Sequence, residues 1–222
     1  MRPHMTIHYL GQACLLIVYG KIRLLCDPWL SHDAHLGGWE PFPRYEGAHK
    51  THALDLARTA THVYLSHHHE DHFDPQTLRE IGPKPIIMGA FRHTGFRQQA
   101  RALASRLIEI ENGQCHALGK MRIRIHAETP SYRTNSVLEI DTPCGKIVNA
   151  NDCGLDASVL QDIAARGKVA LFFSTLNVLA NGWPFPYLRQ NESDYAVRVA
   201  AVREQVREAF ALGMKILKPT VS

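Results

Sequence analysis

The residues of this chain that are best suited to chemistry lie together in one short segment, His67-x-His69-x-Asp71-His72. They directly follow an apolar run at 61–65, which predicts a strand that ends at the segment. Alternate residues of an extended chain point to one side, so His67 and His69 can bind one metal ion. The turn that follows can direct Asp71 and His72 to a second ion. Zinc and iron both bind such ligands, and two ions about 3.5–4 Å apart would share a water or hydroxide.

The alternative is that this histidine run is a solvated polar loop or the remains of a purification tag. A tag is normally a longer run of histidines near a chain terminus, whereas this run lies inside the chain. The combination of three imidazoles with a carboxylate at fixed spacing therefore favours a metal site.

The bulk composition is that of an ordinary globular protein. The chain has 222 residues, of which 45% are apolar and 21% are charged, and this predicts a single domain over 1–222. The formal net charge of +4 is spread along the chain, which does not indicate a nucleic-acid partner. No apolar run predicts a membrane span or a signal peptide. Five scattered cysteines without a CxxC pair predict reduced thiols in a cytoplasmic protein.

Short apolar runs broken by glycine and proline predict strands first, then alternating helices and strands. Hairpins are expected within 6–27, over 115–127 and over 136–150, and further strands at 61–65, 85–88, 107–110, 169–173 and 214–217. Helices are expected at 54–58, from Pro75 with Asp74 as its cap, at 90–107, at 156–166, and from Ser193 to Gly213. This order predicts an α/β layered fold with largely antiparallel pairing.

Two aromatic loops and one aspartate accompany the histidine segment. The long loop at 31–50, which contains Trp39, is expected to lie on the substrate side of the site or to cover the surface, and its histidines are not expected to be ligands. The second loop spans 181–187. Asp27, at the end of a predicted strand, is either an outer partner of a ligand histidine or an ordinary turn residue.

The order of these features resembles the metallo-β-lactamase-fold superfamily. That resemblance implies an α/β, four-layer αββα sandwich with mostly antiparallel or mixed sheets and metals at one sheet edge. A closer resemblance is to the metal-binding region of CMP-N-acetylneuraminate hydroxylase-like proteins. It is carried by the segments 13–17, 27–31, 38–39, 67–72, 149–153 and 180–184.

The resemblance implies a ligand set, residue by residue. His67 and His69 would bind the first metal, and Asp71 and His72 the second. Asp152, at the end of its predicted strand, would be the carboxylate that bridges the two metals, or it is an ordinary strand-end aspartate.

The chain departs from the family pattern at two ligands. The third histidine of the first metal is expected from the hairpin before Asp152. His126 is the only histidine there, and it lies a few residues early, while Arg133 is nearer that position. His126 is therefore either a ligand or a packed residue of a strand. No histidine follows His126, so either the chain is cut before the last ligand of the second metal or that site is incomplete. The iron–sulfur Rieske module of these relatives has no matching ligands here.

These residues predict a metallohydrolase with two divalent ions, zinc or iron. A metal-bound hydroxide would attack an ester, thioester, lactone or phosphoester of a small-molecule metabolite, and Asp71 would orient it or transfer a proton. Substrate contacts are expected from four side chains, Arg133, Trp39, Trp183 and Tyr187. One alternative is a dinuclear iron oxygenase or hydroxylase acting on a sugar nucleotide or related metabolite. Another is a degenerate metal-binding fold without catalysis.

Overall fold

The structure is a computed structural model, and it describes residues 4–31, 33–41, 44–127, 134–153, 156–175 and 195–221. The chain divides into two compact units, Met1–Cys144 and Gly145–Ser222. The histidine segment belongs to the first unit.

Six strands of the first unit form one mixed sheet. They are β1 (Met5–Gly11), β2 (Cys14–Tyr19), β3 (Ile22–Cys26), β4 (His62–Leu65), β5 (Pro85–Gly89) and β6 (Arg106–Ile110), in the order β1-β2-β3-β4-β5-β6. Strands β1, β2 and β3 pair antiparallel, as expected for the predicted hairpin with one strand added in front. From β3 to β6, each strand pairs parallel with the next. The parallel half departs from the predicted antiparallel pairing, because helices rather than tight turns connect its strands.

Three helices of the first unit connect these strands. They are α1 (Gly47–Arg58), α2 (Pro75–Ile81) and α3 (Thr94–Leu103). The predicted start of α2 is confirmed, since the Asp74 side chain accepts a hydrogen bond from the Gln76 amide at 3.0 Å. The predicted helix at 90–107 is shorter in the structure. Ala90 still bonds to Ile110 in the sheet at 2.9 Å, and His93 caps the helix through the Phe96 amide at 3.0 Å.

A three-stranded antiparallel meander completes the first unit. Its strands are β7 (Cys115–Leu118), β8 (Met121–Ala127) and β9 (Ser136–Thr142), as predicted for 115–127 and for 136–140. The start of β9 is bonded to the end of β4. The Tyr64 hydroxyl lies 2.8 Å from Ser136 Oγ, which donates to the Ser66 carbonyl at 2.9 Å. These buried bonds hold the meander against the strand that leads into the histidine segment.

The described residues of the second unit form two parallel strands and two packed helices. These are β10 (Gly145–Asn149), α4 (Ala157–Ala165), β11 (Val169–Phe173) and α5 (Tyr195–Leu217). Asp156 caps α4 by accepting from the Ser158 amide at 2.8 Å. Phe172 of β11 stacks on Phe210 of α5 at a centroid distance of 5.8 Å, so one face of the long helix covers the strand.

The predicted end of the last helix is wrong. The helix does not stop at Gly213, and 214–217 is not a strand, because Gly213 and Leu217 are both buried positions of α5. The left-handed residue that ends the helix is Lys218, with φ of 45°, and its amide donates to the Met214 carbonyl at 3.0 Å. Strand-like pairing comes later, where Val221 forms a parallel bridge with Leu171. Among the described residues, no helix combines the length and apolarity that crossing a membrane requires.

Candidate metal centre

The histidine segment occupies the loop between β4 and α2. His67 is completely buried at the carboxyl end of the strand, and His69 is exposed. A tight turn follows, in which the His69 carbonyl accepts from the amides of His72 at 3.0 Å and Phe73 at 2.7 Å. The turn returns Asp71 and His72 to buried positions before the cap of α2 begins. One short loop therefore presents four potential ligands at the end of a buried strand.

His67 and His69 have the geometry of a pair of ligands. Nε2 of His67 lies 3.0 Å from Nδ1 of His69, and the ring planes are inclined by 80°. Nitrogens bound at about 2.0–2.1 Å to one tetrahedral ion lie a little over 3 Å apart, so the pair fits a shared metal. The other nitrogen of His67 lies 2.9 Å from Ser66 Oγ, which fixes the orientation of the buried ring.

Asp71 and His72 form the second pair. Nε2 of His72 lies 3.4 Å from Asp71 Oδ2, a spacing that also fits two ligands of one ion. Burial acts to raise the pKa of Asp71, but the hydrogen bond and charge of His72, with the charge of His67, outweigh it. The result holds the pKa of Asp71 well below its usual range. The carboxylate is therefore anionic, as a metal ligand or proton acceptor must be.

Asp27 lies behind the second pair, completely buried at the end of β3. Its Oδ1 accepts from the Ser66 amide at 2.7 Å, and its Oδ2 lies 3.4 Å from Nδ1 of His72. Burial raises the pKa of Asp27, and the contacts with His72 and Ser66 oppose that rise. These contacts support the role of an outer partner that orients a ligand histidine. Asp27 has a positive φ of 42°, which the buried contacts hold in place.

His68 differs from the two histidines that flank it. Its Nδ1 lies 2.6 Å from Thr134 Oγ1, and its ring stacks on His93 at 4.8 Å. Partial burial, followed by the charges of His69 and His93, lowers the pKa of His68 to about 4. A neutral imidazole anchored to Thr134 fits a supporting role rather than a share in the His67–His69 pair.

His35 reaches the segment although its sequence position gave no reason to expect it. Its Nε2 lies 3.2 Å from Asp71 Oδ1, and its backbone amide donates to Glu70 at 2.5 Å. The Trp39 ring contacts the His35 ring edge-on at a centroid distance of 5.3 Å. Trp39, which the sequence predicts to contact substrate, therefore lies where the loop at 33–41 meets the histidine segment. No regular spacing relates a loop residue to a motif 36 positions later, so only the folded chain reveals the contact.

His126 pairs with a buried carboxylate. Its Nε2 lies 2.9 Å from Oε2 of Glu139, and the other oxygen of Glu139 lies 3.8 Å from Arg124. A metal would therefore have to bind His126 through Nδ1. Ligation of a metal by His126 stays a prediction. The alternative is that His126 is a packed strand residue whose partner is Glu139.

The remaining predicted site residues are Asp152, which belongs to the second unit, and three residues that the structure does not describe. Asp152 is a half-buried residue of the second unit, in the turn after β10, and its role as bridging ligand stays a prediction. Arg133, Trp183 and Tyr187 lie outside the residues that the structure describes. Their expected substrate contacts stay predictions as well.

A polar cleft of about 590 Å³ opens beside the segment in the first unit. Its lining includes Ala34 from the loop at 33–41, His68 and Glu70 from the histidine segment, and Arg79 from α2. Such a cleft has the size of a small-molecule site. It places a cation and several hydrogen-bonding groups next to the potential metal ligands.

Comparison with known families identifies the class to which the chain belongs. Residues 6–150 match the family described as the beta-lactamase superfamily domain, which covers more than half of the chain. The chain is therefore a member of the metallo-β-lactamase superfamily, as the sequence resemblance implied, and its α/β class is confirmed.

Among curated proteins, the chain is similar to cytidine monophosphate-N-acetylneuraminic acid hydroxylase. The mouse protein is 32% identical over 229 residues, a region that covers 97% of this chain and 37% of the mouse protein. The chain spans between 14% and 38% of the length of the curated relatives it matches. The closer resemblance inferred from the sequence is thereby confirmed.

Solved structures with the same fold include both hydroxylases and hydrolases. CmlA, a diiron β-hydroxylase from Streptomyces venezuelae, superposes with a TM-score of 0.65 at 17% identity, covering 99% of this chain and 44% of that one. A possible metal-dependent hydrolase from Veillonella parvula superposes with a TM-score of 0.57 at 13% identity, covering 77% and 70%. At these identities the likeness establishes the fold, and it leaves the type of reaction open.

Proposed function

We propose that this protein is a metal-dependent hydrolase of a small-molecule ester, thioester, lactone or phosphoester. The observation that carries the proposal is the arrangement of four donors in one loop, with His67 and His69 3.0 Å apart and His72 3.4 Å from Asp71. Nitrogen and oxygen donors at these spacings fit divalent zinc or iron. A bound metal of this kind lowers the pKa of a coordinated water towards about 7 and polarises a carbonyl or phosphoryl oxygen.

The protein's own residues would then hold and activate the reactants. His67 and His69 would hold one ion, Asp71 and His72 would hold a second, and Asp152 is proposed as a further carboxylate ligand. Asp71 is anionic in the site, so its carboxylate can accept the proton that the attacking water loses. The adjoining cleft offers Arg79 for an anionic group of the substrate and the face around His68 for its apolar part.

The test of this proposal is turnover by protein prepared with one metal at a time. Metal-free protein is loaded with zinc, manganese or iron and assayed against a panel of phosphoesters, lactones and thioesters. We expect turnover with at least one metal and a loss of kcat/KM of about 100-fold or more in Asp71→Asn. Asp55→Asn is the matched control, because Asp55 is exposed on α1 and contacts Arg58. Equal rates in the two variants would contradict the role of Asp71.

A second candidate function is an iron-dependent hydroxylase of a sugar nucleotide or related metabolite. It is favoured by the similarity to the mouse hydroxylase over 97% of this chain. Histidine and carboxylate ligands serve zinc and iron alike, so the donor set is compatible with either reaction. Protein purified without added metal would contain iron, would absorb visible light, and would consume oxygen when given a reductant and substrate. Zinc as the native metal, with hydrolysis of the panel, would favour the first candidate over this one.

Both candidates require a bound metal. Protein that binds no divalent ion under any condition, measured by plasma mass spectrometry after dialysis, would contradict both and leave a fold without catalysis.

A further inference from the structure

The second pair of ligands contains a single histidine. Asp71 and His72 supply two side chains to one potential ion, and no histidine follows His126 in this sequence. Catalytic sites usually take three protein ligands and leave one position for water or substrate. Asp71 and His72 are two such ligands and Asp152 is a proposed third, so a further side chain that lies close to this pair is also a candidate ligand.

His35 is the histidine that the fold brings to this place. Its Nε2 lies 3.2 Å from Oδ1 of Asp71, while Nε2 of His72 lies 3.4 Å from Oδ2 of the same carboxylate. Two imidazole nitrogens therefore approach the two oxygens of one carboxylate, each at a distance that a pair of ligands of one ion can also adopt. The His35 ring also meets the His69 ring edge-on at 5.9 Å, on the side of the first pair.

The loop around His35 has a conformation that holds this ring in place. His35 and Leu36 both have left-handed backbone conformations, with φ of 53° and 58°, which side chains of this size rarely adopt. The turn closes through the bridge between Ala34 and Trp39, and the Trp39 ring supports the His35 ring at 5.3 Å. The His35 amide donates to Glu70, which fixes the turn to the histidine segment itself. Strain of this kind persists where the surrounding contacts determine the geometry.

We propose that His35 is a ligand of the second metal position and completes a His35–Asp71–His72 set. This inference rests on the proposed function, since it requires that the centre binds two ions. It replaces the expectation that histidines of the 31–50 loop are not ligands.

The experiment measures the number of zinc ions bound per chain and their affinities. Wild type is compared with His35→Ala, His35→Gln and His49→Ala, by plasma mass spectrometry and titration calorimetry. His49 is the control, because it lies in helix α1 and its ring stacks on Tyr45 at a centroid distance of 5.2 Å, not on the histidine segment. We expect two ions in wild type and in His49→Ala, and one in both His35 variants. The affinity for the second ion should fall by more than the roughly 10–100-fold that loss of an outer hydrogen bond causes.

The glutamine variant separates a ligand from a hydrogen-bonding residue. Glutamine can donate to Asp71 but replaces imidazole poorly as a zinc ligand. Two ions in His35→Gln but one in His35→Ala would overturn the inference in favour of a positioning hydrogen bond, and two ions in both would overturn it outright. Circular dichroism of the metal-free variants checks that each is folded. One ion in wild type would overturn the inference alone, whereas none would also overturn the proposed function.

Discussion

At the scale of single residues, three consecutive histidines have two different sets of contacts. His67 and His69 direct one nitrogen each towards the other at 3.0 Å, whereas His68 is anchored to Thr134 at 2.6 Å and stacks on His93. The alternation of side chains along an extended chain explains the difference. Residue type alone would treat all three as equal candidates.

This difference predicts opposite effects of neighbouring substitutions. We expect His69→Ala to lose bound metal, because it removes a donor of the first pair. His68→Ala should retain the metal content of wild type, because its contacts lie away from that pair. Metal analysis of both variants after dialysis against the same buffer is the measurement. Equal metal content in the two variants would contradict the assignment of ligands.

Asp27 provides a second prediction at this scale. Asp27→Asn keeps the size of the side chain and an oxygen that accepts from the Ser66 amide, but it removes the negative charge 3.4 Å from His72 Nδ1. We expect the affinity for the second ion to fall by about 10–100-fold, as it does when outer partners of ligands are changed. Titration calorimetry with zinc measures the change, and Asp55→Asn on exposed α1 serves as the control. An unchanged affinity would show that Asp27 acts only through the Ser66 amide.

The proposed metal ligands within one loop were predictable from the sequence, and the residues that contact them from distant segments were not. The spacing of His67, His69, Asp71 and His72 is a local pattern, and its position after a strand follows from the apolar run before it. His35 and Asp27 approach the same loop from 36 and 45 positions away, through contacts that only tertiary packing creates. The sequence predicts that Asp27 is either an outer partner of a ligand histidine or a turn residue, and that His35 is not a ligand.

At the scale of elements, a tyrosine at the entry to α1 is fixed on the turn between β1 and β2. The Tyr45 hydroxyl donates to the Leu10 carbonyl, and its ring stacks on His49. Gly11 makes room for this contact, since a Cβ there would lie 1.8 Å from the Tyr45 hydroxyl oxygen and its φ is 120°. The close approach joins the segment that ends the long loop to the first hairpin.

Substitution of Gly11 and, as a control, of Gly20 tests this packing. We expect Gly11→Ala to destabilise the protein by about 2–4 kcal/mol, because it combines a strained backbone with loss of the Tyr45 contact. Gly20→Ala should cost only about 1 kcal/mol, since its φ is 61° but nothing lies within 4 Å of the added carbon. Urea unfolding of both variants gives the free energies. A similar loss in the two variants would mean that backbone strain, and not the tyrosine, determines the effect.

Elements with strong local signals were predicted with nearly their observed bounds. The strand 169–173 and the helix 156–166 coincide with β11 and α4 because their apolar runs and the Asp156 cap are contained in a few residues. The last helix was predicted too short because a glycine usually ends a helix, whereas here burial against the second unit's own core carries the helix to Leu217. The sequence predicts mostly antiparallel or mixed sheets but not which strands pair in parallel, because the direction of β3 to β6 depends on the connecting helices and not on the strands themselves.

At the scale of the whole molecule, family membership does not determine the reaction. The superfamily match covers residues 6–150, and the fold is shared with hydroxylases and hydrolases alike. One fold supports several reactions because the scaffold only positions the loops at one end of a sheet, and the side chains of those loops determine which metal and substrate bind. The loop contributions of His35, His68 and Glu70 therefore carry more information about this protein than its architecture does.

Removal of metal should lower the stability of the protein, because the proposed ligands hold an ion only when the chain is folded. An ion that binds only the folded state adds about 2.7 kcal/mol of stability at a free concentration 100 times its Kd. For a chain of this size each kcal/mol shifts Tm by about 2–4 °C, so we expect excess EDTA to lower the Tm of zinc-loaded protein by about 5–11 °C. Scanning calorimetry with and without EDTA measures the shift. His69→Ala, which lacks a donor of the first pair, should shift less. An identical Tm with and without EDTA in zinc-loaded wild type would show that the donors do not bind an ion in the folded state.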